Sequence, residues 1–142
     1  MTDNLGRFIE AQNFSYETAL SELKAGAKRS HWIWYIFPQI KGLGYSWNSN
    51  YYGLDGLDEA REYLGHPILG PRLRECCQAL LNITDNDIVA IMSGIDAMKL
   101  KSSMTLFDAV SPEDVFSAML EKYYSGMRDN RTLSLIGQQS ME

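Results

Sequence analysis

At 142 residues, with 45% hydrophobic and 22% charged side chains, the chain has the size and composition of one ordered globular domain, able to bury roughly two-thirds of its unfolded surface without disulfides or metals. A formal charge of −5 and a pI near 5.0 count against a nucleic-acid binder, whose affinity comes from neutralising phosphates with Lys and Arg; a small phosphorylated ligand needs only a local cluster of cations and stays open. No basic stretch followed by an apolar run marks a secretory signal, and no window nears the ~20 apolar residues of a membrane span, so a cytoplasmic protein is expected, with the adjacent Cys76 and Cys77 as reduced thiols.

Asp3 or Asn4 caps a first short helix carrying Leu5, Phe8, Ile9 and Gln12. Ser15 caps a second, in which Tyr16, Ala19, Leu20 and Leu23 form an i, i+3, i+4, i+7 stripe before Gly26 ends it. Over residues 28–37 the alternation of Trp32, Trp34 and Ile36 suits a strand, whereas Ser30 as cap and Pro38 as stop suit a short helix, the stronger of the two readings. Residues 38–50, with Gly42 and Gly44, read as a long loop and residues 51–54 as a brief extended piece. Helices follow over residues 57–64, closed by Gly65, then from Pro67 or Pro71 to about Asn82, over 85–92 behind a Thr84 cap, and over 95–110. The sharpest start signal is Ser111-Pro112 with Asp114, opening a helix whose Val115, Phe116, Met119, Leu120 and Tyr123 face inward up to Gly126. A last short helix over 132–138 docks through Leu133, Leu135 and Ile136. With no βαβ alternation, repeat or linker, the pattern implies a mainly α fold, a single compact multi-helix domain over residues 1–142 with at most a short extended segment.

Familiar chemical signatures are missing. Gly42-Leu43-Gly44 lacks the third glycine and preceding strand of a dinucleotide fingerprint, and no Walker loop, Gly-x-Ser-x-Gly elbow or His-Glu-x-x-His helix occurs. Two histidines far apart and two adjacent cysteines are too few and too badly spaced for a structural zinc site, while a magnesium ion shared between carboxylates and a substrate phosphate stays open. No cofactor is specified.

Three stretches hold the residue types that carry chemistry. Residues 30–39, SHWIWYIFPQ, set five aromatic rings, counting His31, within seven positions. Trp34 and Phe37 read as core, whereas His31 and Gln39 flank the aromatic block where it meets the glycine loop, a junction of apolar wall and polar edge suited to a small ligand. His66 precedes Pro67 at a helix start, where its ring serves either chemistry or a backbone cap, and Arg72 in the same helix is either an anion seat or a salt-bridge partner of Glu75 or Glu62. In the third stretch, helical spacing puts Asp96, Lys99 and Ser103 on one face, with Ser102 and Thr105 beside them. Hydroxyls so concentrated on a helix have a reason beyond propensity: a phosphate site, or a plain polar face with an Asp–Lys pair.

At these residues the chain resembles the bacterial family known as domain of unknown function 1810, over nearly its whole length. The matching blocks are Arg7-Phe8 with Ala11-Gln12, SHWIWYIFPQ, Gly42-Leu43-Gly44 with Ser46, Glu59-Ala60 and Tyr63-Leu64, then HPILGPRL from His66, Asp96 with Lys99, SSMTLF from Ser102, and Thr132-Leu133. Tyr35 stands where the family pattern usually has Phe, Met92 where Phe is common and Ile95 where Pro is common; none of these is a candidate catalytic position. The resemblance implies a mainly helical domain and no established activity. Some members carry the label calpastatin, which no repeat or disordered inhibitory segment supports in this chain. In layout, not in motif, the chain is also similar to small helical proteins that process ADP-ribose or riboflavin-pathway intermediates.

The expectation is therefore a protein that binds or hydrolyses a phosphorylated nucleoside or ADP-ribose-like small molecule. Trp32 or Tyr35 would stack on the base, Gln39 and Ser46 would line the pocket, and Arg72, Lys99, Ser102, Ser103 and Thr105 would hold phosphate, with His31 or His66 as acid or base. The alternative is a non-catalytic module taking a peptide or protein partner through an aromatic groove. Neither nucleic acid nor membrane is an expected partner. The three blocks must converge on one pocket for the first reading to hold.

Overall fold

One continuous helix, α1 (Gly6–Ala25), occupies the stretch that the sequence divides in two. Ser15 is not a cap: it sits mid-helix and its hydroxyl accepts a hydrogen bond from Tyr35 Oη at 2.9 Å, so a tertiary partner takes the group that propensity assigns to a helix start. Gly26 ends the helix in the left-handed conformation that glycine adopts without penalty. The computed structural model describes the backbone over residues 5–140 and side chains over residues 5–137, and the expected Asp3 or Asn4 cap lies outside it.

A single turn, α2 (Ile33–Ile36), follows, capped at Trp32 and not at Ser30. The loop expected over residues 38–50 ends in a helix, α3 (Trp47–Tyr52), capped by Ser46, whose Oγ accepts from the Ser49 amide at 3.1 Å. Only Leu54 of the expected extended piece pairs, in an isolated parallel bridge with Ile40. Then come α4 (Gly56–Gly65), α5 (Leu69–Leu81), α6 (Ile88–Met92), α7 (Gly94–Val110), α8 (Val115–Tyr124) and α9 (Asn130–Ser140), and the described residues form no sheet. Asp87 caps α6 in place of Thr84, and Asp114 caps α8 directly, three positions beyond the expected start, with its carboxylate also accepting from Ser111 Oγ at 2.7 Å.

The core gathers around α7. Every residue from Ser102 to Phe107 is buried, which is what a helix packed against α2, α4, α6, α8 and α9 requires. Phe8, Tyr63, Phe107 and Phe116 form a chain of tilted and edge-on rings across the centre, each fully buried; burial of this kind contributes about 1.5–3 kcal/mol per large side chain. Cys76 and Cys77 are free and buried; burial pushes the Cys76 thiol up to about 12 and Cys77 well above its usual value. They pack as small apolar residues.

Where α4 meets α5 the backbones touch. A Cβ on Gly70 would lie 2.0 Å from the Leu64 carbonyl oxygen, so only glycine fits there. This gives HPILGPRL a packing explanation.

Candidate functional site

A cavity of about 310 Å³ opens beside α7, between α2, the glycine loop and the start of α9. One wall is the face of α7 carrying Ile95, Met98, Lys99 and Ser102, spaced i, i+3, i+4, i+7. Trp34 and Gln39 form the second, Leu43, Gly44 and Ser49 the third, and Asp129 with Arg131 the fourth.

Gln39 is fixed by its backbone. Its carbonyl accepts from Leu54 N–H at 2.8 Å, and the amide two residues on, of Lys41, donates to the Leu54 carbonyl at 2.8 Å. The residue is 9% exposed, and its side-chain amide nitrogen is buried with no hydrogen-bond acceptor. Leaving such a donor unpaired costs about 1–3 kcal/mol.

Lys99 projects its ammonium over the Trp34 ring, 4.3 Å from the centroid, and 3.6 Å from Asp96 Oδ1. Asp96 is held closer by Lys28, at 2.7 Å, so the charge on Lys99 is only loosely matched. Arg131 donates to the carbonyls of Leu43 and Gly42, at 2.9 and 3.3 Å, and straps α9 to the glycine loop. Gly42 turns there with φ +110°. One oxygen of Asp129 accepts from the amide and hydroxyl of Thr132, at 3.0 and 2.6 Å, capping α9, while the Asp129 amide donates to Thr105 Oγ1 at 2.9 Å. The result is an apolar wall with an indole, one unpartnered amide, two cations and one carboxylate, which suits a small anionic molecule with a flat part.

Of the residues expected at the site, the structure brings Gln39, Lys99 and Ser102 together. It does not bring the others. Trp32, expected to stack on a ligand, is core: its indole N–H donates to Glu22 Oε1 at 2.9 Å, and Trp34, expected as core, lines the cavity instead. The helical turn, in place of a strand, turns Ile33, Ile36 and Phe37 inward with Trp32 and leaves Trp34 half-buried. Partial burial opposes the ionisation of Glu22, but hydrogen bonds from the Ser30 hydroxyl, the Arg29 amide, the Trp32 indole and the Ser30 amide outweigh it and hold the carboxyl at about 2. Tyr35 is tied to Ser15 and lines no part of the cavity; Ser46 is exposed and caps α3.

The two histidines expected as acid or base lie elsewhere. His31 is exposed in the turn before α2, and His66 Nδ1 accepts from the amides of Ile68 and Leu69, at 3.1 and 3.3 Å, as the cap of the α5 start. Arg72 is a buttress and not an anion seat here: its guanidinium covers the Tyr16 ring and donates to Gln12 Oε1 at 3.3 Å. Gln12 in turn donates to the Tyr35 carbonyl at 2.8 Å. Ser103 is fully buried with its hydroxyl unpartnered, and Thr105 supports Asp129 from behind.

Sequence reasoning missed Leu43, Ser49, Ile95, Met98, Asp129 and Arg131. Ile95, one of the departures from the family pattern, lines the cavity. The Asp129-x-x-Thr132 spacing is a readable cap signal that places a helix start at Asn130, but nothing local aims Arg131 at the loop 89 residues away. A second hollow, of about 490 Å³, lies between the carboxyl-terminal ends of α1 and α5, lined by Lys24, Glu75, Gln78 and Asn82 among others. It is larger but holds neither of the described side-chain atoms that are buried without a partner, Gln39 Nε2 and Ser103 Oγ.

Fold and site together define a small all-helical domain with one polar-floored cavity against its central helix. The chain matches the family described as Protein of unknown function (DUF1810) over residues 2–136, and belongs to it. Its structure is similar to the 1.38 Å crystal structure of the conserved hypothetical protein Rv1873 from Mycobacterium tuberculosis, with 44% sequence identity, 94% of this chain and 96% of that chain covered, and a TM-score of 0.92. No curated protein matches the chain. No helix among the described residues is long and apolar enough to cross a membrane.

Proposed function

We propose that the protein binds a small phosphorylated nucleoside or ADP-ribose-like molecule in the cavity beside α7. The observation that carries this reading is the Gln39 amide, buried without a protein partner on the wall of a cavity that also holds Lys99 and Arg131. A buried unpaired donor calls for an explanation, and on the wall of a cavity a bound ligand is one that supplies its acceptor. The volume of about 310 Å³ lies at the small end of ligand sites, roughly 300–1,000 Å³, and favours a single nucleoside phosphate over a dinucleotide. Binding is favoured over hydrolysis because neither histidine lines the cavity and one oxygen of Asp129 is engaged as a helix cap.

The test is a thermal-shift panel of nucleoside monophosphates, ADP-ribose, sugar phosphates and inorganic phosphate. A ligand at a hundred times its dissociation constant stabilises by about 2.7 kcal/mol, a shift of several degrees for a domain of this size. A panel in which no phosphate compound moves the midpoint sinks the proposal.

The partner-binding reading has one observation in its favour, and it lies on α3, away from the aromatic run. Trp47 is 69% exposed and stacks on Tyr51 with ring centroids 4.5 Å apart. Trp47→Ala leaves the cavity lining untouched, so a partner held by the wild type and lost by this variant would support it.

A further inference from the structure

Gln39 is held at its backbone and unheld at its head. Pro38 fixes the chain before it, and the paired Gln39 carbonyl and Lys41 amide lock the chain after it onto Leu54. Ser102, the hydroxyl of α7 that lines the cavity, already donates to the Met98 carbonyl at 3.2 Å. Gln39 is about nine-tenths buried, lines the cavity, and has a buried amide nitrogen with no acceptor for its N–H groups.

A primary amide presents a donor and an acceptor side by side. The edges of nucleobases present the same pair in complementary order, which is why Asn and Gln read them with two hydrogen bonds at once. Trp34, on the same wall, adds an indole whose ring the Lys99 ammonium covers at 4.3 Å, and Arg131 stands on a further wall.

We infer that Gln39 is the base-reading residue of this site, taking the donor–acceptor edge of a nucleobase while the phosphate lies toward Lys99 and Arg131. The inference rests on the proposed function and adds the ring end of the ligand. Because Nε2 has no protein acceptor to hold it, rotation of the amide can present either order of donor and acceptor to a ligand. The site therefore distinguishes a ligand with a base from one without, more sharply than one base from another.

The experiment compares wild type with Gln39→Met, which keeps length and apolar bulk and removes the amide. Isothermal titration uses AMP, GMP, CMP and UMP, with ribose 5-phosphate as the base-free probe. The expected result is that the tightest monophosphate weakens by roughly 5- to 150-fold in the variant, toward the affinity of ribose 5-phosphate, while ribose 5-phosphate itself binds both proteins alike. The melting temperature of the free variant should be no lower than that of wild type, since the substitution removes a buried unpaired donor. Equal monophosphate binding by both proteins, a parallel loss of ribose 5-phosphate, or a clearly lowered melting temperature overturns the assignment and leaves the site itself standing. A wild type that binds none of the five probes overturns the proposed function, and this inference with it.

Discussion

Lys99 can be removed without disturbing the fold, because Asp96, its partner at 3.6 Å, keeps Lys28 at 2.7 Å. Partly exposed ion pairs contribute only about 0–1 kcal/mol. Lys99→Ala should therefore leave the melting temperature within about a degree or two and abolish the thermal response to phosphorylated ligands; a variant that melts early would make Lys99 structural. Glu22 behaves in the opposite way, since its carboxylate gathers Ser30, Arg29 and Trp32 and its pKa falls to about 2. A carboxyl depressed on folding adds stability that is complete above its unfolded pKa, near 4, and is lost as pH falls through the folded value. Glu22→Gln should be less stable at neutral pH, and its gap in melting temperature from wild type should close between about pH 5 and 2. Asp114, held at about 2 first by Arg74, titrates in the same window, but it is common to both proteins and cancels in the difference. A gap that stays constant with pH would show that the carboxylate charge plays no part.

Within α7 two neighbouring hydroxyls have opposite environments. Ser103 Oγ is buried without a partner, whereas Thr105 Oγ1 donates to the Lys101 carbonyl at 2.8 Å and accepts from the Asp129 amide at 2.9 Å. Ser103→Ala should leave stability unchanged or raise it slightly, and Thr105→Val should lower it by about 1–3 kcal/mol by stranding the Asp129 N–H. Denaturant titration of both variants checks this, and equal losses would contradict the assignment. The same helix shows what a sequence carries. Its apolar residues at helical spacing reveal its existence and extent, and the crowding of hydroxyls signals that something other than propensity is at work. What each hydroxyl does depends on α9, which is brought beside it only by the tertiary fold. Local patterns fail in the same way at α1, where Ser15 resembles a cap because its real partner, Tyr35, is 20 residues away. They fail again at α3, whose aromatic residues lie largely on the surface and so show no buried stripe.

Across the whole molecule the three sequence blocks part company. SHWIWYIFPQ and SSMTLF meet at the cavity through Gln39, Trp34 and Ser102, whereas HPILGPRL packs α5 through the His66 cap, the Gly70 contact and the Arg72 buttress. Residue type alone does not separate these roles, since an arginine near a helix start serves an anion or an aromatic ring equally well. Burial and partners do. The cavity is closed by segments distant in sequence, with Arg131 joining α9 to the Gly42 turn, so a ligand bridging Gln39, Lys99 and Arg131 must restrain both at once. Amide hydrogen exchange with saturating nucleoside monophosphate should therefore slow over residues 40–50 and 128–134, the segments that close the cavity. The larger hollow between α1 and α5 offers the contrary outcome, for it has Lys24 as a cation and an open mouth but no buried unpartnered group. Slowing confined to residues 78–84 would place the ligand there and remove the argument from Gln39, while slowing at the glycine loop and α9 together would support it.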